Sequence, residues 1–234
     1  MRKLLYVPII HMGPDLGSAA STIDESSASL CGEKRWAKHK ETVDQFWANI
    51  ADYFAGVDAT NLKIYQDGLP ADGELGKKIV EESAKRGSKN YQIILDLVKK
   101  GAEIRKTEDP ALLKEEYEAI TNLAQAKSPA DKTRDRASYK VRRNKLTKER
   151  DKFVAKTIDR TLKEGEMGVL LMGSYHDVIS HLPKDIAVQQ VKDREKLNAY
   201  FVELISGKSE KRLEQLAEYL ISPYVSYDRP MTAD

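Results

Sequence analysis

Cysteine is almost missing from this chain. Cys31 is the single one among 234 residues, which excludes an intramolecular disulfide and a cysteine-rich metal site. Long apolar runs are missing too, since nothing approaches the roughly 20 residues that a membrane-spanning helix requires. The basic start Met1-Arg2-Lys3 leads into an apolar segment that Pro8, His11 and Asp15 interrupt before it reaches signal-peptide length, so the expectation is a soluble, cytoplasmic protein without a membrane partner. Charge of one sign is lacking: 39 Lys and Arg stand against 37 Asp and Glu, and any electrostatic partner has to be recognised by a local patch. No Walker-type phosphate loop is present, and Gly13-Pro14-Asp15-Leu16-Gly17 reads as a turn without the dinucleotide fingerprint. Ser174 lacks the flanking glycine of a nucleophile elbow, and Cys31 has no local partner that would activate it. The chain has no internal repeat and no low-complexity block.

What is present is an alternation of short apolar runs and helical patterns. Residues 3–10, 61–68, 102–109, 168–173 and 186–191 read as strands, each bounded by polar or turn-forming residues. Between them, the spacing of Trp36, Val43, Phe46, Trp47, Ile50, Tyr53 and Phe54 predicts a long amphipathic helix over 33–54. Further helices are predicted at 74–85, from a Ser88 cap to the closing Gly101, and at 193–206 and 209–221. The Ser-, Ala- and Gly-rich stretch 17–29 reads as a loop. From Pro110 to Glu164 the pattern is almost wholly helical and dense in Lys and Arg. Strands alternating with helices predict a single α/β domain over 1–234, with a central, largely parallel sheet flanked by helices and a helical insertion at 110–150.

Histidine is scarce, and two of the four close apolar runs. Leu4-Leu5-Tyr6-Val7-Pro8-Ile9-Ile10 ends on His11, and Val169-Leu170-Leu171-Met172-Gly173-Ser174-Tyr175 ends on His176. Ligands of open α/β sheets collect at the carboxyl ends of the strands, so both imidazoles are expected at one crevice, as metal ligands or as acid and base near neutral pH. Two histidines do not hold a catalytic ion without a third donor, and Asp67 and Glu108 close the other two strands. The expected divalent-metal set is His11, His176 and Asp67; the catalytic set is His11, His176, Glu108 and Arg150. Gln66, Tyr175 and Asp177 flank these positions as ligand contacts. His39, among Lys38, Lys40 and Glu41, reads as a solvated surface residue, and His181 as a residue of a polar turn. Glu108-Asp109-Pro110 also reads as a helix N-terminus.

One segment carries a more specific pattern. Glu149-Arg150-Asp151 opens the helical run Lys152-Phe153-Val154-Ala155-Lys156-Thr157-Ile158, and the following strand closes on Gly173-Ser174-Tyr175-His176. This resembles the C-terminal signature of the TraB, Tiki, GumN and ChaN group, in which a Glu-Arg-Asn-like helix start leads to an apolar strand ending in Gly-x-x-His; Asp151 stands here in place of Asn. The group's first strand ends in Gly-Thr-x-His or a similar tetrapeptide. His11 occupies that place, with Pro8 for the glycine and Ile9 where Thr is common, and Gln66 falls where a glutamate is expected. The resemblance implies an α/β sheet with helical insertions and, for the Tiki branch, metal-dependent peptide hydrolysis; other branches bind haem or act in pheromone shutdown and polysaccharide pathways.

Two functional classes follow. The first is a hydrolase of the TraB/Tiki type acting on a peptide or small-molecule substrate, with Arg150 stabilising negative charge as it develops. The second is a non-catalytic binding protein on the same scaffold. Its basic stretch 132–152, with Arg136, Lys140 and Arg143 on one helical face and Tyr139 nearby, would take an anionic ligand or nucleic acid.

Overall fold

A computed structural model describes residues 1–11, 13–15, 20–115, 118 and 129–224, with side chains in the last stretch described from 142 onward. The strands are β1 (Arg2–Ile9), β2 (Leu62–Gln66), β3 (Glu103–Arg105), β4 (Met167–Gly173) and β5 (Ile186–Gln190). The helices are α1 (Ala20–Cys31), α2 (Glu33–Ala55), α3 (Gly73–Lys85), α4 (Lys89–Lys99), α5 (Pro129–Thr161), α6 (Arg194–Ser206) and α7 (Glu210–Ile221). All strands are parallel, in the order β3-β2-β4-β1-β5. The α/β architecture expected from the alternation is therefore present. No helix among the described residues is long and apolar enough to cross a membrane.

Parallel strands are buried on both faces, which is why β1, β2 and β4 are continuous apolar runs rather than alternating ones. Alternate residues still divide between two cores. Leu5, Val7, Ile9, Ile64, Val169 and Leu171 pack with Phe46, Trp47, Ile50, Ile94, Leu197 and Leu220 from the helices of one face. Leu4, Tyr6, Tyr65, Leu170 and Met172 meet Val154, Ala155, Ile158 and Leu162 at the end of α5 on the other. The Trp47 indole donates to the Ile10 carbonyl at 3.0 Å and pins α2 to the end of β1.

Two expectations change. Residues 20–31 form a helix instead of a loop: the segment contains no Gly or Pro, serine is only weakly unfavourable in a helix, and the Trp36 indole ties it to α2 by donating to Asp24 at 2.6 Å. Helix α5 runs unbroken from Pro129 to Thr161, within the stretch read as helical, and its second half is the crossover that covers the sheet. Ser88 precedes α4 without capping it through its side chain, which instead bonds Asp15 and Asn90.

Candidate functional site

The carboxyl edge of β2 and β3 is zipped together just beyond the sheet. The Leu69 carbonyl accepts from Thr107 N at 2.9 Å and Glu108 N at 3.2 Å, and Thr107 Oγ1 donates to the Gln66 carbonyl. This brings Asp67 and Glu108 side by side, with 9% and 1% of their side chains exposed. Asp109 takes the other reading of the same tripeptide, accepting from Ala111 N at 2.8 Å as the cap of a helical turn at 110–115.

Helix α5 delivers the cation. Arg150 lies inside this helix rather than at its start, one residue before Asp151, on the stripe that continues through Val154, Thr157 and Ile158. Its Nε donates to Glu108 Oε2 at 3.0 Å, and its Nη2 donates to Glu108 Oε1 at 2.6 Å and to Asp67 Oδ1 at 3.1 Å. Burial pushes the Glu108 carboxyl up, opposed by the Arg150 guanidinium. Asp67 Oδ2 accepts from Gly173 N at 3.2 Å, and Glu108 Oε1 from Gly68 N at 3.2 Å.

Asp151 turns toward β4. Its Oδ1 stands 2.5 Å from His176 Nδ1, and its Oδ2 accepts from Asp177 N at 2.9 Å. The His176 backbone is folded back by its own N–H donating to the Gly173 carbonyl at 3.1 Å. With 1% of His176 exposed, its Nε2 is buried without a hydrogen-bond partner, 3.9 Å from Asp67 Oδ2. Three buried carboxylates (Asp67, Glu108, Asp151) thus face one guanidinium and one imidazole.

A cavity of about 760 Å³ lies on the other side of the Gly173–Tyr175 turn, walled by β1, α1, α2 and α6. Gly173 is the contact between cavity and cluster. It lines the cavity, and a Cβ there would sit 3.3 Å from Asp67 Oδ2 and 3.4 Å from both His176 Cδ2 and Tyr175 Cε1. The missing side chain leaves Asp67 Oδ2 and His176 Cδ2 close behind the Gly173 backbone that lines the cavity.

The sequence-predicted residues divide accordingly. Asp67, Glu108, Arg150 and His176 meet in the cluster. His11 leaves the sheet at the same end, since Ile9 pairs with Gly173, but its side chain is 46% exposed, on the cavity wall, with Nδ1 3.9 Å from Asp15 Oδ2. Gln66 is buried at the end of β2, its amide donating to the Asp67 carbonyl and its Oε1 unpartnered. Tyr175 is exposed, its ring tilted against His176 and under the Arg143 guanidinium at 5.6 Å. Asp177 is exposed, and the hydrogen bond from Ser180, with that from Arg194, keeps its carboxyl below the usual range. His181 is exposed, as expected. The side chains of Arg136, Tyr139 and Lys140 lie outside the described residues.

The metal reading meets a donor set that does not fit. Among the described residues no group of three or more His, Cys, Asp or Glu side chains is placed to hold a metal ion. Asp67 and Glu108 are bound by a guanidinium, His176 Nδ1 is engaged by Asp151, and His11 stands apart on the cavity wall. Arg150 is likewise engaged by the carboxylates of Glu108 and Asp67, which it holds together.

His39 is corrected outright. It is 5% exposed, stacked between Trp36 and Tyr200, with Nδ1 2.9 Å from the Tyr200 hydroxyl; burial lowers its pKa to about 4. Its flanking charges hid its place on the buried stripe with Val43, Phe46 and Trp47. Asp151 and Gly173 were quoted in the sequence pattern but given no role there. The signal for Asp151 was its position on the apolar stripe of α5, four residues before Ala155 and seven before Ile158. Comparison of the chain with protein-family models, with curated proteins and with solved structures finds no match.

Proposed function

We propose that the protein is a hydrolase of acyl bonds, esters or peptides, in which His176 is the general base and no metal takes part. The resemblance to the TraB/Tiki group supports hydrolysis; the metal dependence that it implies for the Tiki branch is not part of this reading, because the described donor set does not fit it. The observation that carries the reading is the orphaned Nε2 of a buried imidazole whose other nitrogen is fixed by a buried aspartate. An unpaired buried polar atom costs on the order of 1–3 kcal/mol, and such groups persist where function uses them. Asp151 sets the ring's orientation by accepting a hydrogen bond from Nδ1–H and stabilises the imidazolium formed when Nε2 takes a proton from water. In this reading Asp67, whose Oδ2 is 3.9 Å from Nε2, orients that water, and Arg150 is a positioning residue that keeps Asp67 and Glu108 together.

The charge balance supports a neutral carbonyl over a phosphate monoester, because three carboxylates against one guanidinium repel a dianion. A panel of p-nitrophenyl acetate, a chromogenic peptide amide and p-nitrophenyl phosphate, each with and without EDTA, tests the reading. Turnover of an acyl substrate in EDTA is expected, falling by roughly 10²–10⁴ in His176→Ala and by a comparable factor in Asp151→Asn, with the far-ultraviolet circular dichroism retained. Unchanged turnover in His176→Ala sinks the reading; loss in EDTA with recovery on adding a divalent ion sinks its metal-free form.

A further inference from the structure

The cavity beside the Gly173–Tyr175 turn has a wall of one kind and a rim of another. Ile9, Ile23, Trp36, Val43 and Phe201 supply apolar surface. The polar groups among them are largely committed to one another. Asp24 accepts from the Trp36 indole at 2.6 Å and from Lys40 at 3.3 Å, and Ser174 Oγ donates to Asn198 at 2.5 Å. His39 Nδ1 is engaged by the Tyr200 hydroxyl at 2.9 Å. A volume of about 760 Å³ with such a lining is in the range of pockets that enclose a small organic ligand.

The rim is different. Arg143 is exposed and lies over the Tyr175 ring, which itself lines the cavity. Its neighbours on α5 are paired, Arg142 with Glu115 and Lys145 with Glu149. Arg143 has no carboxylate within ion-pair distance among the described residues. A guanidinium stacked on an aromatic ring keeps its hydrogen-bonding edge available for a carboxylate. Asp44, the exposed carboxylate on the cavity wall, repels a second negative group.

We infer that the cavity takes an amphiphile with an apolar body and one carboxylate, the body against Trp36, Val43 and Phe201 and the carboxylate on Arg143 above Tyr175. This deepens the hydrolase reading by naming its substrate class, an acyl compound bearing a remote carboxylate. Only the placing of the scissile bond at the Gly173 edge rests on that reading; the binding does not.

Trp36 lines the cavity while Trp47 is buried in the core, and the chain has two tryptophans in all, so a ligand in the cavity is read by tryptophan fluorescence. The full chain is titrated with decanoate, decanol and decyltrimethylammonium, which share an apolar body and differ in the head. Decanoate is expected to bind about threefold to fivefold tighter than decanol, the size of one exposed ion pair. Arg143→Gln removes that preference and leaves decanol unchanged, and Ala20→Phe, which fills the cavity from α1, weakens both. His176→Ala binds decanoate as the wild type does, even where hydrolysis is lost, so failure of the catalytic reading and failure of this one are told apart. Equal binding of decanoate and decanol, tightest binding of decyltrimethylammonium, or no fluorescence response to any of the three overturns the inference.

Discussion

Under α5, the carboxyl edge of the sheet concentrates charge: Asp67, Glu108, Arg150, Asp151 and His176 are packed within one buried network. Under α1, α2 and α6, the same edge opens into a cavity whose walls are aromatic and aliphatic and whose polar groups mostly satisfy each other. The two regions are separated by the three residues Gly173-Ser174-Tyr175. The charged groups are thus packed against fixed partners in the interior, while the other side of the turn leaves room for a cavity. A buried ion pair contributes little net stability against an apolar replacement but is costly to break by halves, so the two regions should respond very differently to single substitutions.

The largest contrast is expected from removing one cation on each side. Arg150→Met strands Glu108 and Asp67 in the interior and should cost about 3–5 kcal/mol in urea unfolding. Lys40→Met, which breaks an exposed pair with Asp24, should cost under about 1 kcal/mol. Equal costs would mean that the cluster is solvated and the comparison false.

A second break point is pH, and it belongs to the cavity side. The His39 pKa is about 4 in the folded chain against an ordinary 6.5. As pH falls below 6.5 the unfolded chain takes up the proton first, so stability drops until pH reaches about 4 and is constant below. The loss amounts to roughly 3 kcal/mol. Urea unfolding at pH 7 and pH 4 should show this increment in the wild type and lack it in His39→Phe, which keeps the stacking. An identical pH dependence in the two proteins would remove His39 from the account.

The smallest effect sharpens the boundary itself. Gly173→Ala places a methyl group 3.3 Å from Asp67 Oδ2 and 3.4 Å from His176 Cδ2. Asp67 is held by Arg150 and His176 by Asp151, so neither yields easily. A cost of about 1–2 kcal/mol is expected, measured by calorimetric unfolding. No cost would show that the turn is loose and that cluster and cavity are not in register.

Much of this was legible residue by residue. The apolar runs of β1, β2 and β4 announced buried parallel strands, and their last polar residues, Asp67 and His176, did reach one edge. His11 reached it too, but a strand end specifies only where a side chain leaves the sheet, not which face it serves. His11 faces the cavity and His176 the cluster because one follows Ile10 directly and the other follows a turn that folds back on Gly173. His39 was hidden by charged neighbours that point to solvent while its own position faces inward, and α1 by a composition that favours loops only when nothing packs against it.

The amino-acid order alone settled the alternation of strands and helices, and with it a sheet whose carboxyl edge gathers the chemistry, because hydrophobic periodicity is a local property that each segment carries by itself. Only the tertiary structure decided that Arg150 would occupy the carboxylates, that Asp151 would orient His176, and that a glycine would stand between them and the cavity. Those pairings join residues 25 to 83 positions apart, and their partners are chosen by which helix crosses which face of the sheet, a choice no local pattern records.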